Sequence, residues 1–153
     1  MSTEDQKPSP SRDAGDRDTN PLDDASFDSD ERRKIRAACG AFLYVAFADA
    51  NFDPSEEARM LAVLVNREPF SGYDAKILEA EYNALVAVLH SDYAAAAKRI
   101  IDDIEWSKAD PETAQAVIAA ARSAIVADAR LEAQEEAALA RIANALDLAP
   151  GDI

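Results

Sequence analysis

The 153-residue chain carries 30 Asp and Glu against 16 Lys and Arg, a formal charge of −14 at pH 7. A surface this acidic repels phosphate and anionic lipid, which argues against nucleic acid as a partner and against direct membrane insertion. One Cys and one His exclude a disulfide framework, a multi-Cys zinc site and a His-rich metal site. The 34 Ala against 4 Gly favour helix. No apolar run approaches the roughly 18 residues that span a bilayer, and the N-terminus lacks a basic-then-apolar signal. The expectation is a soluble, cytoplasmic protein.

Residues 1–29 read as a disordered acidic tail. Residues 1–30 hold 9 acidic and 3 basic groups and three Pro, with Leu22 and Phe27 as the only large apolar side chains after Met1. Such a segment buries too little apolar surface to offset its chain entropy. A helical domain is expected over 30–153, and its first helix over about 30–49. Ile35, Cys39, Phe42 and Ala46, with Leu43 and Phe47 beside them, follow helical spacing. Asp53-Pro54-Ser55-Glu56 supplies an N-cap, a Pro at the first helical position and a Glu three residues after the cap. Met60, Leu61, Leu64 and Val65 then face inward until Pro69, Ser71 and Gly72 break the second helix. A third helix is expected from about Asp74 to His90. A fourth is capped by Ser91 or Asp92 and ends near Trp106. A fifth starts at Asp110-Pro111-Glu112, and a sixth covers about Ala133 to Leu146. The fold class is all-α, a single compact bundle of six to seven helices with Ala-rich faces that allow close approach.

Self-comparison gives the sharpest signal. Residues 48–58 (ADANFDPSEEA) and 127–137 (ADARLEAQEEA) agree at six of eleven positions at an offset of 79. The Ala matches carry little weight in an Ala-rich chain. Asp49/Asp128, Glu56/Glu135 and Glu57/Glu136 carry more. Each copy falls where one helix ends and the next begins, so two related helix-loop-helix units packed about a pseudo-two-fold axis are expected.

The motif is an Asp at a helix end, an apolar residue three further on, and a Glu seven after the Asp. It resembles the tellurite-resistance TerB-like domain, and is also similar to the N-terminal module of DjlA-type membrane co-chaperones. The resemblance covers roughly 31–150, including Leu139, Ile142, Leu146 and Leu148 near the close of the domain. Where the family usually has Gly after the motif Asp, this chain has Ala50 and Ala129. No J-domain signature is present, which disfavours the co-chaperone branch. The resemblance implies an all-α bundle of about seven helices, association with tellurite or chemical-stress resistance, and a divalent-metal role for Asp49, Glu56, Asp128 and Glu135.

Ca²⁺ and Mg²⁺ take hard oxygen ligands. The carboxylates that could supply them are Asp49, Asp53 and Glu56 in the first copy and Asp128, Glu132 and Glu135 in the second. An EF-hand is rejected: loop position six is Pro54 rather than Gly, position twelve is Met60 rather than Glu, and the second copy has Arg130 at position three. The competing reading is that these groups only cap helices and complement the helix dipole. No Ser-His-Asp, Cys-His or Gly-x-Ser-x-Gly arrangement is present, so an enzyme is not expected. Cys39 reads as a buried inert thiol, His90 as a helix-terminal group, and Asp102-Asp103 with Glu105 as a solvated face. Trp106, Tyr73 and Phe70 read as plugs at helix ends. The basic run Arg32, Arg33, Lys34 and Arg36 is either offset by Asp28, Asp30 and Glu31 or receives the acidic tail or an acidic partner. The function expected is a non-enzymatic module of a bacterial stress response that binds a divalent cation at its acidic hinges and works with another protein. The alternative is a metal-free protein-interaction adapter.

Overall fold

From Ile35 to Ala46 only Arg36 and Tyr44 keep partial exposure; every other side chain of that stretch is buried. This stretch belongs to α1 (Ser29–Ala46), around which the rest of the chain packs. The computed structural model describes residues 29–48, 56–125 and 133–149. Residues 1–28, which contain the expected tail, and the Asp53-Pro54 start signal lie outside the described residues. Five further helices follow: α2 (Glu56–Val65), α3 (Ala75–Ser91), α4 (Tyr93–Ser107), α5 (Pro111–Ser123) and α6 (Ala133–Ala145). The chain is all-α among the described residues, with its apolar side chains gathered into one core.

Local chemistry fixes the helix starts. The Asp74 carboxylate accepts the Lys76 amide at 2.9 Å and opens α3. Asp92 serves two helices: its amide donates to the Val88 carbonyl at 2.8 Å, and its carboxylate accepts the Ala95 amide at 3.2 Å. Asp92, not Ser91, is therefore the joint. Pro111 takes the first position of α5 after Asp110. The end of α6 is a Schellman turn. The Leu148 amide reaches the Ala143 carbonyl at 2.8 Å, the Asp147 amide reaches Asn144 at 3.1 Å, and Asp147 has φ 61°. Lys108 steadies that turn through Asp147 at 3.1 Å.

The expected one-sided stripe on α1 is instead burial on nearly every face. Ala37, Ala38, Ala41 and Gly40 occupy the sides between the larger residues, and side chains this small let several helices reach the same backbone. α1 packs most extensively on α5 and also meets α3, α4 and α6. α2 packs on α5 while α6 packs on α1. That crosswise pairing is what a pseudo-two-fold relation of α1–α2 to α5–α6 requires. In the chain, residues 47–55 join α1 to α2 and residues 124–132 join α5 to α6.

Gly40 marks the tightest approach. A Cβ there would meet Cγ2 of Ile100 on α4 at 2.9 Å. Both branches of Ile100 leave its Cβ, so it has little freedom to yield. Gly40→Ala gains up to about 1 kcal/mol of helix propensity but meets an overpacking cost of about 1–3 kcal/mol. Chemical denaturation should therefore show a net loss in the wild-type background. The same substitution should turn neutral or stabilising in an Ile100→Ala background; an equal effect in both would remove the steric account.

Candidate functional site

Arg32, Arg33, Lys34 and Arg36 sit in the opening turns of a helix, where the dipole disfavours cations. Their compensation comes from distant parts of the chain. Arg33 Nε donates to Asp103 Oδ1 at 2.8 Å, and its guanidinium lies 4.9 Å from the Trp106 ring centroid. Arg36 Nη1 donates to Glu81 Oε2 at 3.5 Å, and its Nε lies 3.5 Å from Asp103 Oδ2. Lys34 sits between Glu31 at 3.7 Å and Asp110 at 3.5 Å. Asp103 and Glu81 are 4% and 5% exposed. The run therefore joins α1 to α3, α4 and α5, and Arg33, Lys34 and Arg36 are spent inside the domain. Glu31 takes part in the compensation as expected, and distant elements supply the rest of these contacts; Asp28 and the expected tail lie outside the described residues. The same contacts correct the reading of Asp102-Asp103-Glu105. Asp102 is exposed and pairs with Lys98 at 3.7 Å, while Asp103 is a buried counterion.

The carboxylates beside this network are perturbed in opposite directions. Burial pushes Glu81 above the usual carboxylate range despite the nearby Arg36. Asp110 is held below it, first by the Thr113 hydroxyl that donates to Oδ2 at 2.6 Å, with Lys34 also contributing. Burial also raises Glu57 on α2, and the like charge of Glu79 raises it further. Glu57 Oε2 is buried without a hydrogen-bond partner among the described residues. Cys39 is wholly buried, and desolvation with the fields of Glu81 and Glu57 pushes its thiol far above its ordinary range. It is an inert core thiol. Phe70 is buried against Tyr73, and Trp106 is half-buried. His90 is exposed in the last turn of α3, edge-on to Phe47 at 5.5 Å.

Of the six carboxylates expected to hold a cation, Asp49, Asp53, Asp128 and Glu132 lie outside the described residues, as do the side chain of Glu56 and the motif-following Ala50 and Ala129. Glu135 is buried in the first turn of α6, 6% exposed. The flanks of the two acidic segments are described. Arg59 in the opening turn of α2 donates to the Ser123 carbonyl at the end of α5, at 3.4 Å. The exit of the first segment thus lies beside the entrance of the second. Among the described residues, no three His, Cys, Asp or Glu groups are placed to hold a metal ion, and no helix is long and apolar enough to cross a membrane.

Sequence reasoning missed two features: the buried counterions Asp103 and Glu81, and an open trough between α2 and α5 lined by Val63, Arg67 and Gln115. A periodicity argument could have flagged Asp103, because it lies one position before Ile104 and three after Ile100, on the inward side of α4.

A family model described as tellurite resistance protein TerB matches residues 35–153. No curated protein and no solved structure shows a significant match to the chain.

Two outcomes are expected. Asp103→Asn leaves Arg33 and Arg36 without their shared counterion and should cost about 2–3 kcal/mol in denaturant titrations. Glu81→Gln should cost less at pH 7, because burial already opposes the charge on Glu81. The second outcome concerns pH. A carboxyl raised in the folded state contributes stability below its ordinary value near 4.5 and loses it as pH climbs through the raised value. Glu57→Gln should accordingly stabilise at pH 7, by less than about 1 kcal/mol given its partial exposure. The gain should vanish toward pH 4.5. A gain that persists there would exclude charge as its cause.

Proposed function

The chain belongs to the TerB family, and from that premise we propose a non-enzymatic helical module of a bacterial stress response whose two acidic hinges hold a divalent cation. The module works in the cytoplasm together with another protein. One observation carries the cation reading: Arg59 meets Ser123, so the flanks of the repeated acidic segments adjoin at one end of the bundle. Asp49, Asp53 and Glu56 on one side and Asp128, Glu132 and Glu135 on the other are hard oxygen donors, the chemistry that Ca²⁺ and Mg²⁺ take. A cation shared between the hinges would lower the repulsion of a chain with net charge −14.

A metal-free adapter is the second reading. It draws support from the burial of Glu135 in the first turn of α6. In that case the acidic groups close the hinges and a partner protein binds elsewhere on the bundle.

Thermal melting separates the two. Under the cation reading, Ca²⁺ or Mg²⁺ raises the Tm of the EDTA-treated chain, and Asp49→Ala with Asp128→Ala abolishes the rise. Saturation at a hundred times Kd corresponds to about 2.7 kcal/mol of added stability. A Tm identical in EDTA and in either cation would favour the adapter.

A further inference from the structure

We infer that the trough between α2 and α5 receives α5 of a second copy of this chain, the two α5 helices running antiparallel about a two-fold axis. Two cavities of about 650 and 440 Å³ share Val63, Arg67 and Gln115, so the trough is continuous along α5 from Pro111 to Ser123. Its length is about 18 Å at 1.5 Å per residue. α2 forms the other wall and runs the opposite way. Arg59 in its opening turn reaches Ser123 at 3.4 Å, while Arg67 just past its end shares a cavity with Pro111. A trough between two antiparallel helices is the shape into which the ridge of another helix packs. α5 carries such a ridge. Glu112, Gln115, Ile118, Ala119 and Arg122 are exposed or half-buried and recur at the three- and four-residue spacing of one helix face. The opposite face of α5 is buried in the core.

The order of the charges on this face, not an excess of either sign, selects the occupant. Glu68 and Glu112 outweigh Arg67 at the Pro111 end, whereas Arg122, with Arg59 beside Ser123, marks the other end. Glu112 and Arg122 lie ten residues apart, about 15 Å along the helix. Among the described residues neither makes an ion pair within the chain. An isologous interface requires a surface that complements itself when turned end for end. Positions 112 and 122 are equidistant from 117, as are 115 and 119. A two-fold axis crossing α5 at position 117 therefore sets Glu112 against Arg122 of the second copy twice. It also sets Gln115 against Ala119 and brings the two Ile118 side chains together near the axis. A parallel pairing would oppose like charges, and a partner of one charge sign would match only one end. α2 and α5 together present a face about 20 Å long and about 20 Å wide. That extent lies at the small end of specific interfaces, and the −14 charge of each copy opposes association further. The dimer is accordingly weak and concentration-dependent.

Sedimentation equilibrium of the full chain in EDTA, from about 10 µM to about 1 mM, tests this without involving a cation at the hinges. The average mass should rise toward that of a dimer. Over the same range the amide signals of Val63, Gln115, Ile118 and Ala119 should shift, and those of α3 should not. Glu112→Arg alone, or Arg122→Glu alone, opposes like charges twice and should weaken dimerisation about tenfold. An equimolar mixture of the two single variants restores both pairs of opposite charge and should dimerise as the wild type does. Mixing cannot repair a folding defect, so this rescue separates interface charge from any effect on the fold. A chain that stays monomeric throughout overturns the inference. So does a dimer whose shifts fall outside α2 and α5, one indifferent to the charge reversals, or a mixture that shows no rescue.

Discussion

The structure depends on bringing α1 into the core despite its charged opening. Twelve consecutive positions, Ile35 to Ala46, include only two that keep partial exposure. A helix buried on most faces gains from every neighbour it meets, but Arg33, Lys34 and Arg36 must enter with it. Glu81 on α3, Asp103 on α4 and Asp110 at the N-cap of α5 solve this, at 2.8 Å for the shortest contact and 3.5 Å for the rest. Each ion pair also fixes where a neighbouring helix can sit on α1. Buried pairs contribute little net stability but make misplacement expensive, because a displaced helix strands a charge. Arg33 over Trp106 extends the same positioning to the end of α4.

This inward use of charge has an outward consequence. With Arg33, Lys34 and Arg36 occupied, the exposed cations of the described residues are spread over other helices, Lys76 on α3, Arg99 on α4 and Arg141 on α6 among them. In sequence, the acidic repeat covers the joins from α1 to α2 and from α5 to α6. The helices that flank those joins pack crosswise, α2 on α5 and α6 on α1, and Arg59 against Ser123 ties the start of α2 to the end of α5.

Local signals were legible in the sequence and non-local ones were not. Asp74, Asp92 and Pro111 begin helices where capping chemistry predicts, because their partners lie within three residues. The stripes Leu78, Tyr82, Leu85, Leu89 and Ile100, Ile101, Ile104 are buried as their spacing predicts. Asp103 could not be assigned its role from its neighbourhood, since the arginine it holds is 70 residues away. The near-total burial of α1 was hidden because Ala37, Ala38 and Ala41 are as compatible with a solvent face as with a close helix contact. For the candidate cation residues, only the side chain of Glu135 falls among the described residues. It is buried, which is the observation that favours the metal-free reading.

Site-resolved amide hydrogen exchange in Ca²⁺ or Mg²⁺ against EDTA tests the central functional claim most directly. The account predicts slower exchange with cation at both hinge flanks together: residues 47–48 and 57–59 beside the first, and 124–125 and 133–136 beside the second. Unchanged exchange at both, or protection confined to one copy, would contradict a cation held between the paired hinges.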